Sequence, residues 1–171
     1  MPPGEALRAD RTFAAEMAQM FDRIAPQYDL LNRLNSLGLD RRWRSTLVRK
    51  VVRRRPHHLL DMATGTGDVA IALARSAPEA EVIGMDLSEE MMAIGRTKVT
   101  TAGLSDRVTL RRGDALGIDL PDASVDVVTC AFGVRNFASI IDGYREFARV
   151  LRPGGMVAVL ELTEPSRGLM R

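Results

Sequence analysis

The chain has 171 residues, of which 46% are hydrophobic and 27% charged, with a formal net charge of +2 and a single cysteine, Cys130. This length suits one globular domain with a substantial core. The lone cysteine excludes an intramolecular disulfide, and no apolar run approaches the roughly 20 residues that span a bilayer. We therefore expect a cytoplasmic protein, peripheral at most at the inner surface of a membrane.

The first 56 residues predict helices. Residues 1–9 contain Pro and Gly without periodicity, so we expect a disordered tail there. Apolar spacings of three and four then predict a helix that Pro26 ends, a second over residues 28–37, and a third from Asp40, as N-cap, to Pro56. Since they precede the first strand, we expect residues 10–56 to form a lid on the core of residues 57–171, within one domain.

Positive charges concentrate in residues 41–55. They are Arg41, Arg42, Arg44, Arg49, Lys50, Arg53, Arg54 and Arg55. Such a cluster suits anionic lipid headgroups, nucleic acid or simple solvation. Only Trp43 is interleaved with these side chains, which argues against a base-stacking surface and against a nucleic-acid partner. We expect the basic cluster to make peripheral contact with an anionic membrane.

Residues 59–70 indicate a buried strand, a tight glycine turn and a helix that begins near Asp68. Gly65 and Gly67 permit positive φ and close approach of a ligand, and the helix start presents free N–H groups. This spacing fits a dinucleotide loop, an S-adenosylmethionine loop, or an ordinary strand-to-helix turn. Asp61 opposes a pyrophosphate but suits the ammonium and sulfonium of S-adenosylmethionine, so the loop favours that cofactor over NAD.

The rest of the chain alternates strands and helices. Strands are predicted at residues 81–86, 107–113, 125–131 and 156–162, with helices at 88–101 and 139–151. This order predicts an α/β fold with a doubly wound, mainly parallel Rossmann-like sheet in the order 3-2-1-4-5.

We expect Asp86, at one strand end, to bind both ribose hydroxyls or to cap the next helix. Asp114 is expected to accept a hydrogen bond from an adenine amino group or to form a turn. No pattern in the sequence resembles a metal site.

Several segments together resemble the class I S-adenosylmethionine-dependent methyltransferases, and more closely the ubiquinone/menaquinone biosynthesis C-methyltransferases. They are residues 60–68, 113–115, 132–136 and 151–155, with 21–29 and 40–44 matching the N-terminal signature of the closer family. The resemblance covers nearly the whole chain from about Met20. It implies S-adenosylmethionine as cofactor, a prenylated quinol as substrate, with demethylmenaquinol favoured, and cofactor contacts at Thr66, Asp86, Asp114, Ala115 and the backbone near Ala131.

Two departures from the family pattern stand out. Ala63 occupies the first glycine position of the general methyltransferase loop. The family's chains also continue past the fifth strand with a helix and two strands, so we expect the fifth strand here to be an unpaired edge, prone to homo-oligomer formation. A methyltransferase of nucleic acid or another substrate, and an inactive adenosyl-binding fragment, are the alternatives.

Residues 132–136, Phe-Gly-Val-Arg-Asn, follow the fourth strand and are expected beside the cleft. Gly133 would let this loop bend close to the ligand. Arg135 would place a cation where it lowers the pKa of a ring hydroxyl, which makes a strong protein base less necessary. Asn136 and Tyr28 would orient the same oxygen. Alternatively, Arg135 pairs with a carboxylate and holds the loop.

Overall fold

The computed structural model describes residues 3–162, and in it a five-stranded sheet lies between helices. All strand pairs are parallel, in the order β3-β2-β1-β4-β5, as predicted. The elements in chain order are α1 (Pro3–Asn35), α2 (Leu39–Val52), β1 (His58–Met62), α3 (Asp68–Ser76), β2 (Glu81–Asp86), α4 (Glu89–Thr101), β3 (Val108–Arg112), β4 (Val125–Ala131), a 3-10 turn (Val134–Asn136), α5 (Ile140–Val150) and β5 (Leu151–Leu160).

Alternating apolar side chains of the central strands divide the core into two layers. Leu59 and Val127 pack with α2, α3 and α4 on one face of the sheet. Leu60 and Val128 pack with Phe147 of α5 on the other. Both faces of β1 are buried, so residues 59–62 are all apolar except for Asp61.

The N-terminal region differs from the prediction. One helix runs through Pro26, and it begins at Pro3, so residues 3–9 are helical rather than the expected disordered tail. A proline removes one backbone hydrogen bond, but contacts to α4 hold the helix on both sides of it. Asp22 accepts from Ser88 Oγ at 2.5 Å, and Asp29 binds Lys98 Nζ at 2.5 Å.

Helix α2 also begins differently from the prediction. Its N-cap is Gly38, in the left-handed conformation with φ 78°, and Asp40 lies in the first turn instead of capping it. The buried Asp40 carboxylate accepts from Ser36 Oγ at 2.9 Å. It therefore stabilises the connection between α1 and α2 through its side chain.

Strand β5 lies at the edge of the sheet within the described residues, as expected. It begins earlier than the predicted residues 156–162, because Leu151 already pairs with Val125 before a register irregularity brings Met156 opposite Val127. It ends at Leu160, two residues before the predicted end at residue 162.

Candidate active site

A cleft opens at the carboxyl ends of the strands, where ligands bind in sheets of this type. Its floor comes from the ends of β1, β2 and β4 and the loop after β3, and α1 covers it. The space between the walls, counted out to the open mouth, is about 700 Å³. The α1 side chains in the wall are Phe13, Ala14, Met17, Phe21 and Tyr28.

Asp86 ties the glycine loop to the end of β2. Its Oδ2 accepts from the Gly65 N–H at 2.8 Å and its Oδ1 from the Ser88 N–H at 2.9 Å. Burial raises the pKa of the Asp86 carboxyl, although these backbone donors partly oppose the effect. Each carboxylate oxygen keeps a lone pair for a further donor, so Asp86 can still accept from ligand hydroxyls in the cleft wall.

Asp61 is a buried carboxylate beneath the loop. It is 1% exposed, and it accepts from Thr64 Oγ1 at 2.7 Å and from Thr129 Oγ1 at 2.6 Å. Burial raises its pKa to about 6, against the opposing effect of both hydroxyls and the positive charge of Arg44. Among the ion pairs of the described residues, none reaches Asp61. A buried carboxylate in this state favours a cationic ligand.

The sequence pattern does not single out Arg44, which lines the same small cavity as Asp61. Its Nη1 binds Asp68 at 2.6 Å, while its buried Nε has no hydrogen-bond partner. The cavity therefore presents the Asp61 and Asp68 carboxylates together with the Arg44 guanidinium. Groups of both signs suit the ammonium and carboxylate of an α-amino acid. Helical spacing is the signal that could have found Arg44, because it follows Asp40 by four residues and precedes Leu47 by three on the buried face of α2.

The small cavity and the larger cleft are continuous in their walls. Tyr28, Ala63, Gly65 and Ala131 line both. One extended ligand can therefore contact Asp61 and Arg44 at one end and the cleft at the other.

Thr66 lines the small cavity rather than the larger cleft, and Gly67 lines neither, so cofactor contacts at these two residues stay predictions. Thr66 Oγ1 donates to Asp29 at 2.7 Å and accepts from Lys98 Nζ at 2.9 Å, so its hydroxyl connects α1 to α4. Of the two cavities, Thr66 lines only the smaller one. Gly67 has a φ of 78° and caps α3. A Cβ there would lie 3.3 Å from Leu110 Cδ1, so close helix packing accounts for this glycine.

Lys98 is the centre of that polar network. Besides Asp29 and Thr66, its Nζ binds Asp68 Oδ1 at 2.8 Å. Burial by itself would raise the pKa of the Asp68 carboxyl, but Lys98 and Arg44 outweigh burial and hold the pKa below its usual range. The network fixes α1 over the sheet.

The other predicted cofactor residues line the cleft. Asp114, Ala115 and Ala131 all form part of its wall. The Asp114 Oδ1 also accepts from the Leu116 N–H at 3.0 Å, so the side chain forms a turn while it borders the cleft. Both expectations for Asp114 are thus compatible with its position.

The loop after β4 packs against the loop after β1. A Cβ on Gly133 would overlap the Cβ of Ala63 and lie 2.9 Å from Cys130 Sγ, so this glycine permits contact between the two loops. Gly133 also lines the cleft. Ala63 and Phe132 both have left-handed backbones, with φ of 54° and 60°. Such strain in residues other than glycine is concentrated at functional sites.

Within this loop only part of the predicted catalytic group faces the cleft. Asn136 and Tyr28 line it, whereas Arg135 does not. The Arg135 Nη1 binds Glu161 Oε1 at 2.9 Å, with 52% of its side chain exposed. The guanidinium thus takes the alternative expected for it, pairing with a carboxylate that holds the loop.

Comparison with known proteins identifies the family. A model of the ubiE/COQ5 methyltransferase family matches residues 10–171. The chain belongs to this family. It is 48% identical over 151 residues to the demethylmenaquinone methyltransferase of Deinococcus radiodurans, covering 88% of this chain and 62% of that protein. It is 44% identical over 153 residues to the ubiquinone/menaquinone biosynthesis C-methyltransferase UbiE of Geobacter sulfurreducens, covering 89% and 60%.

The chain thus spans less than two thirds of the length of these relatives. Among solved structures it resembles the [4+2]-cyclase SpnF, with a TM-score of 0.72 and 26% identity over 86% of this chain and 60% of that one. It also resembles a SAM-dependent methyltransferase from Geobacter sulfurreducens in complex with S-adenosyl-L-homocysteine, with a TM-score of 0.59 and 28% identity over 69% and 47%. The family membership and fold predicted from the sequence are confirmed.

Residues 3–162 lack two features, a membrane-spanning helix and a cluster of metal-ligating side chains. None of their helices has the length and apolar character needed to cross a membrane. The same residues include no group of three or more His, Cys, Asp or Glu side chains that could hold a metal ion.

Proposed function

We propose that the protein transfers the methyl group of S-adenosylmethionine to a ring carbon of a prenylated quinol, with demethylmenaquinol as the favoured substrate. One observation carries the proposal: a charged amino-acid-type cavity opens into a cleft covered by apolar and aromatic side chains. Membership of the ubiE/COQ5 family supports the reaction class. The names of the relatives support a substrate from quinone biosynthesis.

The residues of the site fit S-adenosylmethionine. Asp61 would accept from its ammonium and Arg44 would bind its carboxylate. Asp86 would take the ribose hydroxyls, and Asp114 with Ala115 would border the adenine. The pyrophosphate of NAD would meet the buried negative charge of Asp61 instead, which disfavours a dinucleotide.

The bound cosubstrate would supply an electrophilic methyl on a sulfonium. The protein would orient the two reactants and exclude water from between them. Tyr28 and Asn136, in opposite elements of the wall, would orient a ring hydroxyl, while Phe21 and Phe137 exclude water. In the balanced transfer the methyl would replace a ring hydrogen. The carbon–sulfur bond would break with its electron pair left on sulfur, and the ring proton would pass to solvent water. Arg135 would hold the 3-10 turn that presents Asn136.

The test combines a calorimetric titration with S-adenosylmethionine and NADH and an assay with methyl-labelled S-adenosylmethionine. We expect binding of the first ligand alone and transfer of label to demethylmenaquinol. Label in RNA but not in quinol would favour a nucleic-acid methyltransferase. Binding without transfer to either would indicate an adenosyl-binding protein.

We also propose peripheral contact with an anionic membrane, where a long-tailed quinol resides. Exposed basic side chains along α2 support this proposal, among them Arg41, Arg42, Arg49 and Lys50. Sedimentation with anionic and with neutral vesicles tests it, and equal recovery on both would leave these side chains as a solvated face.

A further inference from the structure

The corner between α1 and α2 exposes a set of leucines. Leu30 and Leu34 are 59% and 61% exposed on the last turns of α1, and Leu37, in the turn itself, is 90% exposed. Leu31 and Leu39 are also exposed. Single exposed leucines are common, but five within ten residues form a local apolar patch.

The exposed charges within this segment of the chain have one sign. Between residues 30 and 42 the exposed charged side chains are Arg33, Arg41 and Arg42. The acid of this stretch, Asp40, is buried and accepts from Ser36. Leucines surrounded by arginines are typical of segments that lie in the interface of an anionic bilayer.

The backbone at Leu37 supports a role outside the fold. Its φ is 51°, a left-handed conformation that glycine or asparagine adopts at lower cost. With 90% of its surface exposed, the side chain gains almost no packing in return. A leucine in this position therefore contributes little to folding and is available for an external apolar contact.

The corner lies at the cleft end of the sheet. Arg44, in the first half of α2, binds Asp68 at the start of α3, directly after the glycine loop. Tyr28, in the cleft wall, precedes Leu31 by less than one helical turn. Helix α2 has 14 residues and is about 21 Å long, so Arg53 and Arg55 lie at the opposite end, before β1 begins.

We propose that the α1–α2 corner, residues 30–42, inserts its leucines into the interface of an anionic bilayer while Arg33, Arg41 and Arg42 bind lipid phosphates. This inference rests on the membrane contact proposed above and names the surface that makes it. It places the cleft end toward the lipid. A quinol ring can then enter the cleft while its prenyl tail remains in the bilayer.

The first test compares matched variants in sedimentation with phosphatidylcholine vesicles, with and without phosphatidylglycerol. Leu34→Ser with Leu37→Ser should lower the partition constant at least tenfold. Ile140→Ser with Ile141→Ser, at two exposed isoleucines of α5, should leave it within twofold. Similar partitioning of the leucine variant and the wild type would overturn the proposal.

The second comparison uses equal numbers of charges. Arg33→Gln, Arg41→Gln and Arg42→Gln together should weaken binding to anionic vesicles about a hundredfold, since each well-placed arginine contributes about fivefold. Arg49→Gln, Arg53→Gln and Arg55→Gln together should have a much smaller effect. An equal or larger loss from the second set would preserve the proposed membrane contact but reject the corner as its surface.

A label provides a direct readout of insertion. Cys130 is the only cysteine and is 0% exposed, so Leu37→Cys can be labelled selectively with an environment-sensitive nitrobenzoxadiazole dye. We expect a blue shift and brighter emission on anionic vesicles, and no change for Ile141→Cys. A dimer that Leu34→Ser with Leu37→Ser dissociates, without any label response to lipid, would instead assign the patch to a second copy. None of these measurements depends on turnover. A failure of the proposed methyl transfer is therefore distinguishable from a failure of the membrane proposal.

Discussion

Asp61 and Arg44 line one small cavity beneath the glycine loop, and each has unused binding capacity there. The Asp61 carboxylate accepts from two threonine hydroxyls and no cation, and the Arg44 Nε is buried without a partner. A ligand that carries both an ammonium and a carboxylate would satisfy both groups at once. We therefore expect the pair to recognise the amino-acid end of S-adenosylmethionine.

The first prediction distinguishes contacts to the amino-acid end of S-adenosylmethionine from contacts to its adenosine end. Asp61→Asn and Arg44→Met should each weaken S-adenosylmethionine binding by about 1.5 to 3 kcal/mol, the scale of a hydrogen bond to a charged group. Neither should change the affinity for methylthioadenosine, which lacks the amino-acid end. Isothermal titration calorimetry measures both ligands.

Arg41→Gln serves as the control, because this exposed arginine is on the same helix outside the small cavity. Asp68→Asn removes the shorter of the two ion pairs of Arg44 but keeps its guanidinium. Equal losses for both ligands in Arg44→Met would mean that the residue acts through stability of the loop.

The second prediction concerns pH. The pKa of Asp61 is raised from 3.8 to about 6, so the folded state keeps a proton that the unfolded chain releases. The free energy of unfolding should therefore fall as pH rises from about 4 to about 6, by about 3 kcal/mol for this group, and stay level above that range. Asp61→Asn should remove this contribution. Urea unfolding of both proteins across the range measures it, and a constant difference between them would contradict the assignment.

Binding should show the complementary effect. The ammonium of the ligand favours ionised Asp61, so binding near pH 6 should release a proton. Calorimetry in two buffers with different ionisation enthalpies detects that release. Asp61→Asn should abolish it, while Arg41→Gln should not.

The fold follows from hydrophobic patterning to a large extent. Strands β2 and β4 have the predicted bounds, because each is a short apolar run between turn residues. The predicted break at Pro26 is wrong, since the Asp22 and Asp29 contacts to α4 are long-range and invisible in a local pattern. Tertiary packing here overrides the preference of proline.

The site is predictable in position more than in orientation. Asp86 and Asp114 reach the cleft because parallel strand ends share one edge. A glycine motif does not reveal which side of the turn a ligand occupies, and Gly67, a predicted cofactor contact, packs against Leu110 of β3 and against α4. Arg44 is hidden among exposed arginines, and only its burial distinguishes it.

The third prediction tests Asp86. Asp86→Ala should weaken both S-adenosylmethionine and methylthioadenosine by about 1.5 to 3 kcal/mol, because both carry the ribose hydroxyls. The Gly65 and Ser88 N–H groups would also lose their acceptor, so thermal unfolding must accompany the titrations. Asp86→Asn, which keeps one acceptor oxygen, should retain more stability while still losing affinity. Unchanged affinity in a folded Asp86→Asn protein would remove this residue from the site.

The last prediction concerns how Arg135 contributes to methyl transfer. Glu161 accepts from the Arg135 guanidinium at 2.9 Å and from the Leu162 N–H at 3.1 Å, next to the 3-10 turn that presents Asn136. If Arg135 positions this turn, Arg135→Ala, Glu161→Gln and the double variant should each lower the rate about tenfold, because they break the same interaction. Affinity for S-adenosylmethionine should stay within about threefold. Asn136→Ala, which removes a group from the cleft wall, should cost about a hundredfold.

Direct action of Arg135 on the ring oxygen gives a different pattern. Arg135→Ala would then cost a hundredfold or more, the scale of losing one electrostatic stabiliser, whereas Glu161→Gln would free the guanidinium and leave the rate unchanged or higher. Single-turnover transfer to demethylmenaquinol separates the two patterns, since it reports the chemical step without product release. Only the three variants together decide between them, because both roles predict a loss for Arg135→Ala alone.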